Sequence, residues 1–297
     1  MTVPNQARRS IGLRFTASAC IIILGLLLPC IAAATELKLA TWNLEWLTDR
    51  RAGDPALPTD VRPKQPEDIE LLRHYAAELD ADVVALQEVD GTGVAARVFP
   101  TERYSIHLSR DRVVQRTGVA VRRGIRYSVN PDVTGLDIGR QLRSGVDVTL
   151  RLEPSPLRIL VVHLKTGCFD RRLGGSPRGS CGELRQQMAP LIDWINARRD
   201  EGVAFAIMGD FNRHMDGQDQ FWLALRQTAP LTRATEGHAS PCWGGEAFID
   251  HIILGGPARN WLQPDTLRVL SYRELGAAWK QRLSDHCPVS VRLRLPD

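Results

Sequence analysis

Six times along this chain a short run of apolar or small residues ends on side chains with catalytic or ligand chemistry, and this pattern limits the fold more than any other feature. The segments are LKLATWNLEW, DVVALQEV, RILVVHLKTG, IMGDFN, FIDHIIL and SDHCPV. The apolar parts suit buried strands, and open α/β sheets hold their ligands at strand ends. The sharpest case runs from Ile207 to Asn212. Asp210 and Asn212 are two apart, so on an extended segment they point to one side and share a cavity. A carboxylate able to take a proton, beside an amide able to orient an oxygen, suits hydrolysis by an activated water. Alone, the fragment also reads as a solvated turn after a core strand; its recurrence favours a site.

Strand and helix signals alternate, without internal repeats or a dividing linker. Strands are expected at Leu37 to Trp42, Val83 to Leu86, Tyr104 to Leu108, Gly118 to Val121, Val146 to Leu152, Ile159 to Leu164, Ala204 to Met208, Ile249 to Leu254 and Pro288 to Leu295. Helical spacing of Ile69, Leu72, Tyr75, Ala76 and Leu79 predicts a helix over Pro66 to Leu79. Leu184, Met188, Leu191, Ile192 and Ile195 do the same for Glu183 to Arg199, and a short helix is expected over Asp219 to Arg226. Gly53 to Pro66 and Gly174 to Gly182 read as loops.

The first 34 residues carry Arg8, Arg9 and Arg14, an apolar core from Ala19 to Leu28, and Ala32-Ala33-Ala34. That is the pattern of an export signal, with cleavage expected near Ala34 and one domain over 35–297. The apolar run is short for a membrane anchor. Pro29 before Cys30 fits a lipid-attachment box poorly, and Arg8-Arg9 hints only weakly at twin-arginine export. The remainder, about 263 residues with a net charge of about +1, is ample for a single core and carries no overall bias toward polyanions. Only local arginine clusters could supply one: Arg110, Arg112 and Arg116; Arg122 and Arg123; Arg171, Arg172 and Arg178. Each also reads as ordinary solvated surface.

Four cysteines remain after the signal, which allows three pairings. Cys168 and Cys181 bracket CFDRRLGGSPRGSC, a long loop that calls for a staple, and their bond is the first expectation. Cys242 and Cys287 form the second pair or stay as buried thiols. No CxxC or paired Cys/His spacing favours zinc.

In this set and order the six segments resemble the endonuclease/exonuclease/phosphatase superfamily, which includes deoxyribonuclease-I-like nucleases, abasic-site endonucleases, neutral sphingomyelinases and inositol polyphosphate phosphatases. The resemblance spans Leu37 to Leu295. It implies an α/β fold: a four-layer α/β/β/α sandwich of two mostly antiparallel sheets flanked by helices. It implies Mg²⁺, with Mn²⁺ or Ca²⁺ as alternatives, held by Glu88 of the LQE motif, with Asn43 of TWN beside it. Asp285 would face the metal, and Glu45 is an outer-sphere or second ligand. A hard cation prefers such carboxylates plus waters and phosphate oxygens. Asp210 would be the general base and Asn212 would orient the water or the phosphate. His286 would be held by Asp250 and contact a phosphate oxygen. His163 matches the histidine of deoxyribonuclease-type and sphingomyelinase-type members, a candidate acid for the leaving oxygen. Abasic-site endonucleases usually lack it, which with export argues against a repair role.

Arg143 reads either as a phosphate contact or as a surface salt bridge. Trp243 reads as a packing residue or a stacking platform, packing being favoured. His74, His107, His214 and His238 read as surface or core, and His251 points to the strand face opposite Asp250. The reading is an exported, divalent-metal-dependent phosphoesterase, first a nuclease acting on DNA or RNA, as a monomer without a protein partner or a membrane span in the mature chain, secreted or periplasmic. The alternatives are a sphingomyelinase-like or small-molecule phosphodiesterase or phosphatase, and a catalytically silent binding protein. The silent form would be expected to lack at least one of Glu88, His163, Asp210, Asn212, Asp250 and His286; all six are present.

Overall fold

The computed structural model describes residues 1–3 and 36–296, so the expected signal segment and its cleavage point lie outside the described residues. Among the described residues no helix is long and apolar enough to cross a membrane. In chain order the elements are β1 (Glu36–Leu47), α1 (Pro66–Leu79), β2 (Val83–Val89), α2 (Thr92–Val98), β3 (Tyr104–Leu108), β4 (Arg116–Arg122), β5 (Tyr127–Val129), β6 (Val146–Leu150) and β7 (Leu157–His163). They continue with α3 (Ser180–Asp200), β8 (Ala204–Asp210), α4 (Gln220–Thr228), β9 (Leu231–Arg233), β10 (Asp250–Gly255), β11 (Arg268–Val269), α5 (Ala277–Arg282) and β12 (Val289–Arg294).

The strands form two six-stranded sheets, ordered β11-β12-β1-β2-β4-β3 and β5-β6-β7-β8-β10-β9. β1 runs parallel to β2, and β7 runs parallel to β8; every other pair is antiparallel. Each sheet therefore has a central parallel pair with antiparallel flanks.

Period-two alternation sorts the apolar side chains into three layers of core. Leu37 and Leu39 of β1 and Val83 and Ala85 of β2 face Ile159 and Val161 of β7, Ala206 and Met208 of β8 and Ile252 and Leu254 of β10, filling the space between the sheets. The alternate residues Ala40, Trp42 and Leu44 pack outward on Ile69, Leu72, Tyr75 and Leu79 of α1 and on Val94 and Val98 of α2. On the other sheet Leu160, Val162, Phe205 and Ile207 pack on Leu184, Leu191, Trp194 and Ile195 of α3 and on Phe221 and Leu225 of α4. Each fully buried Leu, Ile, Val or Phe stabilises by about 1.5–3 kcal/mol. The result is the expected α/β/β/α sandwich.

Local chemistry sets the element ends. α1 starts with Pro66 in its first turn, and the Gln65 backbone N–H donates to the Asp68 carboxylate at 3.0 Å. It stops at Asp80, which takes a left-handed conformation and donates its N–H to the Ala76 carbonyl. In β8, Gly209 has φ +150°, and a Cβ there would stand 1.9 Å from the Val162 carbonyl oxygen. Only glycine lets β7 and β8 approach so closely one step before their ends.

Both disulfides are formed, Cys168–Cys181 and Cys242–Cys287, which removes the buried-thiol alternative for the second pair. Their loops of 13 and 45 residues correspond to about 3 and about 4 kcal/mol of loop-closure stabilisation. The helices α2 and α5 and the strands β5, β9 and β11 were not expected from the sequence. α2 and α5 span seven and six residues, too few for a helical period to repeat, and the three strands have two or three residues each.

Candidate active site

The inter-sheet rows carry the site. On β1 the inward row is Leu37, Leu39, Thr41 and then Asn43; on β7 it ends at His163, on β8 at Asp210, and on β10 it begins at Asp250. Apolar residues thus give way to polar ones on the same face, at the same end of the sandwich. Register fixes the alignment, since Asp210 is paired with His163 across the parallel ladder and with Asp250 across the antiparallel one. The sequence motifs DFN, VVH and IDH are brought together by strand pairing alone.

Asp210 is the hub. It is buried, and its Oδ2 accepts from Asn43 Nδ2 and Asn212 Nδ2, both at 3.1 Å. Its Oδ1 accepts from the Asn212 backbone N–H at 2.8 Å. His163 Nε2 and His286 Nε2 lie 3.5 and 3.7 Å from Oδ2. Burial pushes the Asp210 carboxyl up to about 7; His286 opposes this, and Asp250 adds to it. Asp210 and Asn212 do meet, but not by strand alternation. β8 ends at Asp210, and Asn212 has φ 50°, so a tight turn folds its amide back onto the carboxylate.

His286 Nδ1 lies 2.8 Å from Asp250 Oδ2. Burial alone would lower the imidazole, but Asp250 and Asp210 hold it well above its ordinary value as an imidazolium. His163 is the opposite case: burial, then Arg143 and His286, push it well below its ordinary value. Arg143 Nε donates to His163 Nδ1 at 3.1 Å, its Nη2 lies 2.8 and 2.5 Å from Nδ1 and Nε2, and Nε2 also faces Asp210 and Glu88. The two histidines that flank Asp210 are thus pushed in opposite directions, His286 up and His163 down. Arg143 lies in the site against His163 and, among the described residues, forms no salt bridge.

The acidic side of the cleft is built around Glu88. Strand parity would turn it away from the site, because Gln87 occupies the inward position after Val83 and Ala85. A register shift between Leu86 and Val89, with φ 61° at Glu88, redirects the side chain. Its Oε1 accepts from Asn43 Nδ2 at 3.2 Å and its Oε2 from the Trp46 N–H at 3.1 Å. Glu88 therefore sits at the end of an interior strand. Glu45 accepts the Asp285 backbone N–H at 3.2 Å, and burial, Asp285 and Glu88 push its carboxyl up to about 7. Lys64, buried in the loop before α1, donates to the Glu45 carbonyl at 2.7 Å and lies 4.0 Å from Glu45 Oε2. Sequence reasoning missed this lysine, one of two cations, with Arg62, in a Pro-rich loop.

The donor set fits a divalent cation. Five carboxylates (Glu45, Glu88, Asp210, Asp250 and Asp285) face three cations (Lys64, Arg143 and His286), and burial, with the neighbouring acids adding to it, raises Glu45 and Asp210. Asp250 Oδ1 is buried without a partner. Asp210, Asp250 and His286 also offer atoms within 4.8 Å of one another. In the absence of an ion Asp250 holds His286 toward its protonated form, in which its nitrogens are donors.

The remaining residues fall as read. Trp243 packs on Tyr272, ring centroids 5.3 Å apart, and donates its Nε1–H to the Ser284 carbonyl at 3.0 Å. His251 is buried behind the site, donating Nε2–H to the Arg213 carbonyl at 3.0 Å and accepting from Thr235 Oγ1. His74 and His238 are exposed, and His107 and His214 are half-buried.

Comparison with known proteins now bears on this geometry. None of the curated proteins matches the chain in sequence. Among solved structures, TDP2 from D. rerio complexed with single-strand DNA product is similar, at 14% identity and TM-score 0.58, covering 88% of this chain and 100% of that one. The human Nocturnin catalytic domain with bound sulfate is similar at 14% identity and TM-score 0.54, covering 86% and 93%. The 3′ phosphatase NExo from Neisseria, bound to product DNA hairpin, gives 15% identity and TM-score 0.55, covering 87% and 100%. At these identities the likeness is one of fold. The family model for the endonuclease/exonuclease/phosphatase family matches residues 40–286, from the middle of β1 to His286 itself. This chain belongs to the endonuclease/exonuclease/phosphatase family.

Proposed function

We propose that the protein is an exported, divalent-metal-dependent phosphodiesterase whose substrate is nucleic acid. The observation that carries the reading is the convergence on Asp210 of two amides, a neutral histidine and an imidazolium, with a cluster of carboxylates alongside. Phosphodiesters resist attack because their negative charge repels a nucleophile. A cation such as Mg²⁺, held by Glu88, Glu45 and Asp285 with Asn43 supporting Glu88, supplies charge neutralisation at the phosphate. Asp210, poised near neutrality, accepts the proton of the attacking water, which Asn212 orients. His286, fixed by Asp250, donates to a phosphate oxygen, and His163, held against Arg143, faces the leaving oxygen. Water adds to phosphorus, the ester oxygen leaves and takes a proton, and a phosphomonoester and an alcohol result.

Nucleic acid is favoured by the loop after β7. Arg171, Arg172 and Arg178 are exposed there, on the segment that follows His163 and is closed by Cys168–Cys181. Two disulfides also suit an oxidising compartment, in keeping with export of a domain beginning near residue 35. The test is nicking of supercoiled plasmid by the purified chain with Mg²⁺, with EDTA, and with Asp210→Ala as the contamination control. Metal-dependent nicking lost in the variant supports the reading. A folded chain that hydrolyses a generic phosphodiester but no DNA or RNA would move the substrate to lipid or small-molecule esters.

A further inference from the structure

A second cavity, of about 670 Å³, shares the wall Glu246, Ala247 and Phe248 with the cleft that holds Asp250, Asp285 and His286. Its floor is made by buried Met215, Arg233, Thr235 and Phe248, and Asp216 and Glu236 are exposed at its mouth. Arg233 is the unusual member. It is 7% exposed, its Nε is buried without a hydrogen-bond partner, and among the described residues it forms no ion pair. Glu236, Asp219 and Asp216 act on it only through space, and Asp219 is already bonded to Arg213. No described residue accepts from this guanidinium, so a ligand in the cavity that offers an acceptor to its Nη groups gains from it.

The guanidinium is also held in place. Arg233 pairs with Ile253 in the β9–β10 ladder, and its Cζ lies 5.3 Å from the ring centroid of fully buried Trp222. The acidic mouth opposes a phosphate. A neutral, planar ligand with acceptors on one edge and donors on another suits both the floor and the mouth, and a nucleobase has that form. Guanine offers O6 and N7 to an arginine fork and presents N–H groups that carboxylates accept, while Phe248 and Met215 cover its apolar faces.

We propose that this cavity is a nucleobase subsite that takes a guanine of the substrate strand beside the scissile phosphate, with Arg233 reading its acceptor edge. The inference rests on the nucleic-acid reading and extends it to sequence preference. The test is cleavage of a random-sequence single-stranded oligonucleotide pool with Mg²⁺, sequencing the product ends, for the native chain, Arg233→Lys and Glu236→Gln. Hydrolysis of bis(p-nitrophenyl) phosphate, which has no base, and a thermal melt run alongside as controls. The expected result is guanine enriched about tenfold at one fixed position from the cut, the enrichment being lost in Arg233→Lys and reduced in Glu236→Gln. Cutting by the native chain without a fixed base preference overturns the subsite while leaving the nuclease reading in place. So does a folded Arg233→Lys that keeps the preference. If that variant does not fold, the exposed Glu236 position decides. Hydrolysis of the generic diester with no oligonucleotide cleavage overturns both readings.

Discussion

Asn43 and Asp210 belong to different sheets, yet Asn43 Nδ2 donates to Asp210 Oδ2 at 3.1 Å and to Glu88 Oε1 at 3.2 Å. One amide therefore joins the proposed base to the proposed metal ligand across the sandwich. Its bond lowers the Asp210 carboxyl against the larger upward push of burial. Removing it in Asn43→Ala raises Asp210 further. The expected outcome is an acid limb of the kcat/KM profile displaced to higher pH, with activity at neutrality down about 10- to 100-fold. An unmoved acid limb would detach Asn43 from the base.

Asp210→Asn separates chemistry from stability. Loss of the base should cost about 10²–10⁴ in kcat. The stability sign follows from a folded-state carboxyl raised to about 7 against an ordinary 3.8. The folded state then keeps a proton that the unfolded state releases, so this contribution is fully present below about pH 3.8 and is lost as pH rises to about 7. In EDTA the native chain should lose melting temperature across that window relative to Asp210→Asn, by about 2–4 °C for each kcal/mol. Parallel melting curves for the two proteins would contradict the raised carboxyl.

Mg²⁺ should stabilise the native chain through the acidic cluster. At a hundredfold excess over Kd the gain is about 2.7 kcal/mol, seen as a rise in Tm. Glu88→Gln keeps the size of the side chain but removes a ligand charge, so its Tm should respond only at far higher Mg²⁺. An identical Mg²⁺ titration in both proteins would move the ion away from Glu88.

Cys242–Cys287 ties the loop before Asp250 to the segment that presents Asp285 and His286. The double variant Cys242→Ser/Cys287→Ser should lose up to about 4 kcal/mol of stability. It should also lose activity at temperatures where it is still folded, because the His286 to Asp250 bond is no longer fixed. Lower Tm with full activity below it would confine the bond to a stabilising role.

The site was legible in the sequence wherever strand alternation carried it. Asn43, His163, Asp210 and Asp250 each lie on an inward row, so an apolar run ending in a polar residue was enough to find them. Glu88 was found by its motif, but its direction depends on a positive φ that no periodicity encodes. Lys64 and Arg143 reach the site from irregular segments, where side-chain direction follows from tertiary packing. The same holds for Arg233, whose meaning lies in an acceptor that is missing, and a sequence does not record missing partners. The edge strands β9 and β11 are too short to show alternation.

Because Gly209 stands between Met208 in the core and Asp210 in the site, with the Val162 carbonyl filling the space of its absent side chain, β8 has no freedom to slide along β7. A single-residue insertion or deletion in either strand would invert its inward row and swing Asp210 or His163 out of the cleft. Lineages of such a protein can lengthen, shorten or recharge the loops around the cleft and so explore new substrates. The spacing within the central strands is where a change of length would dismantle the site.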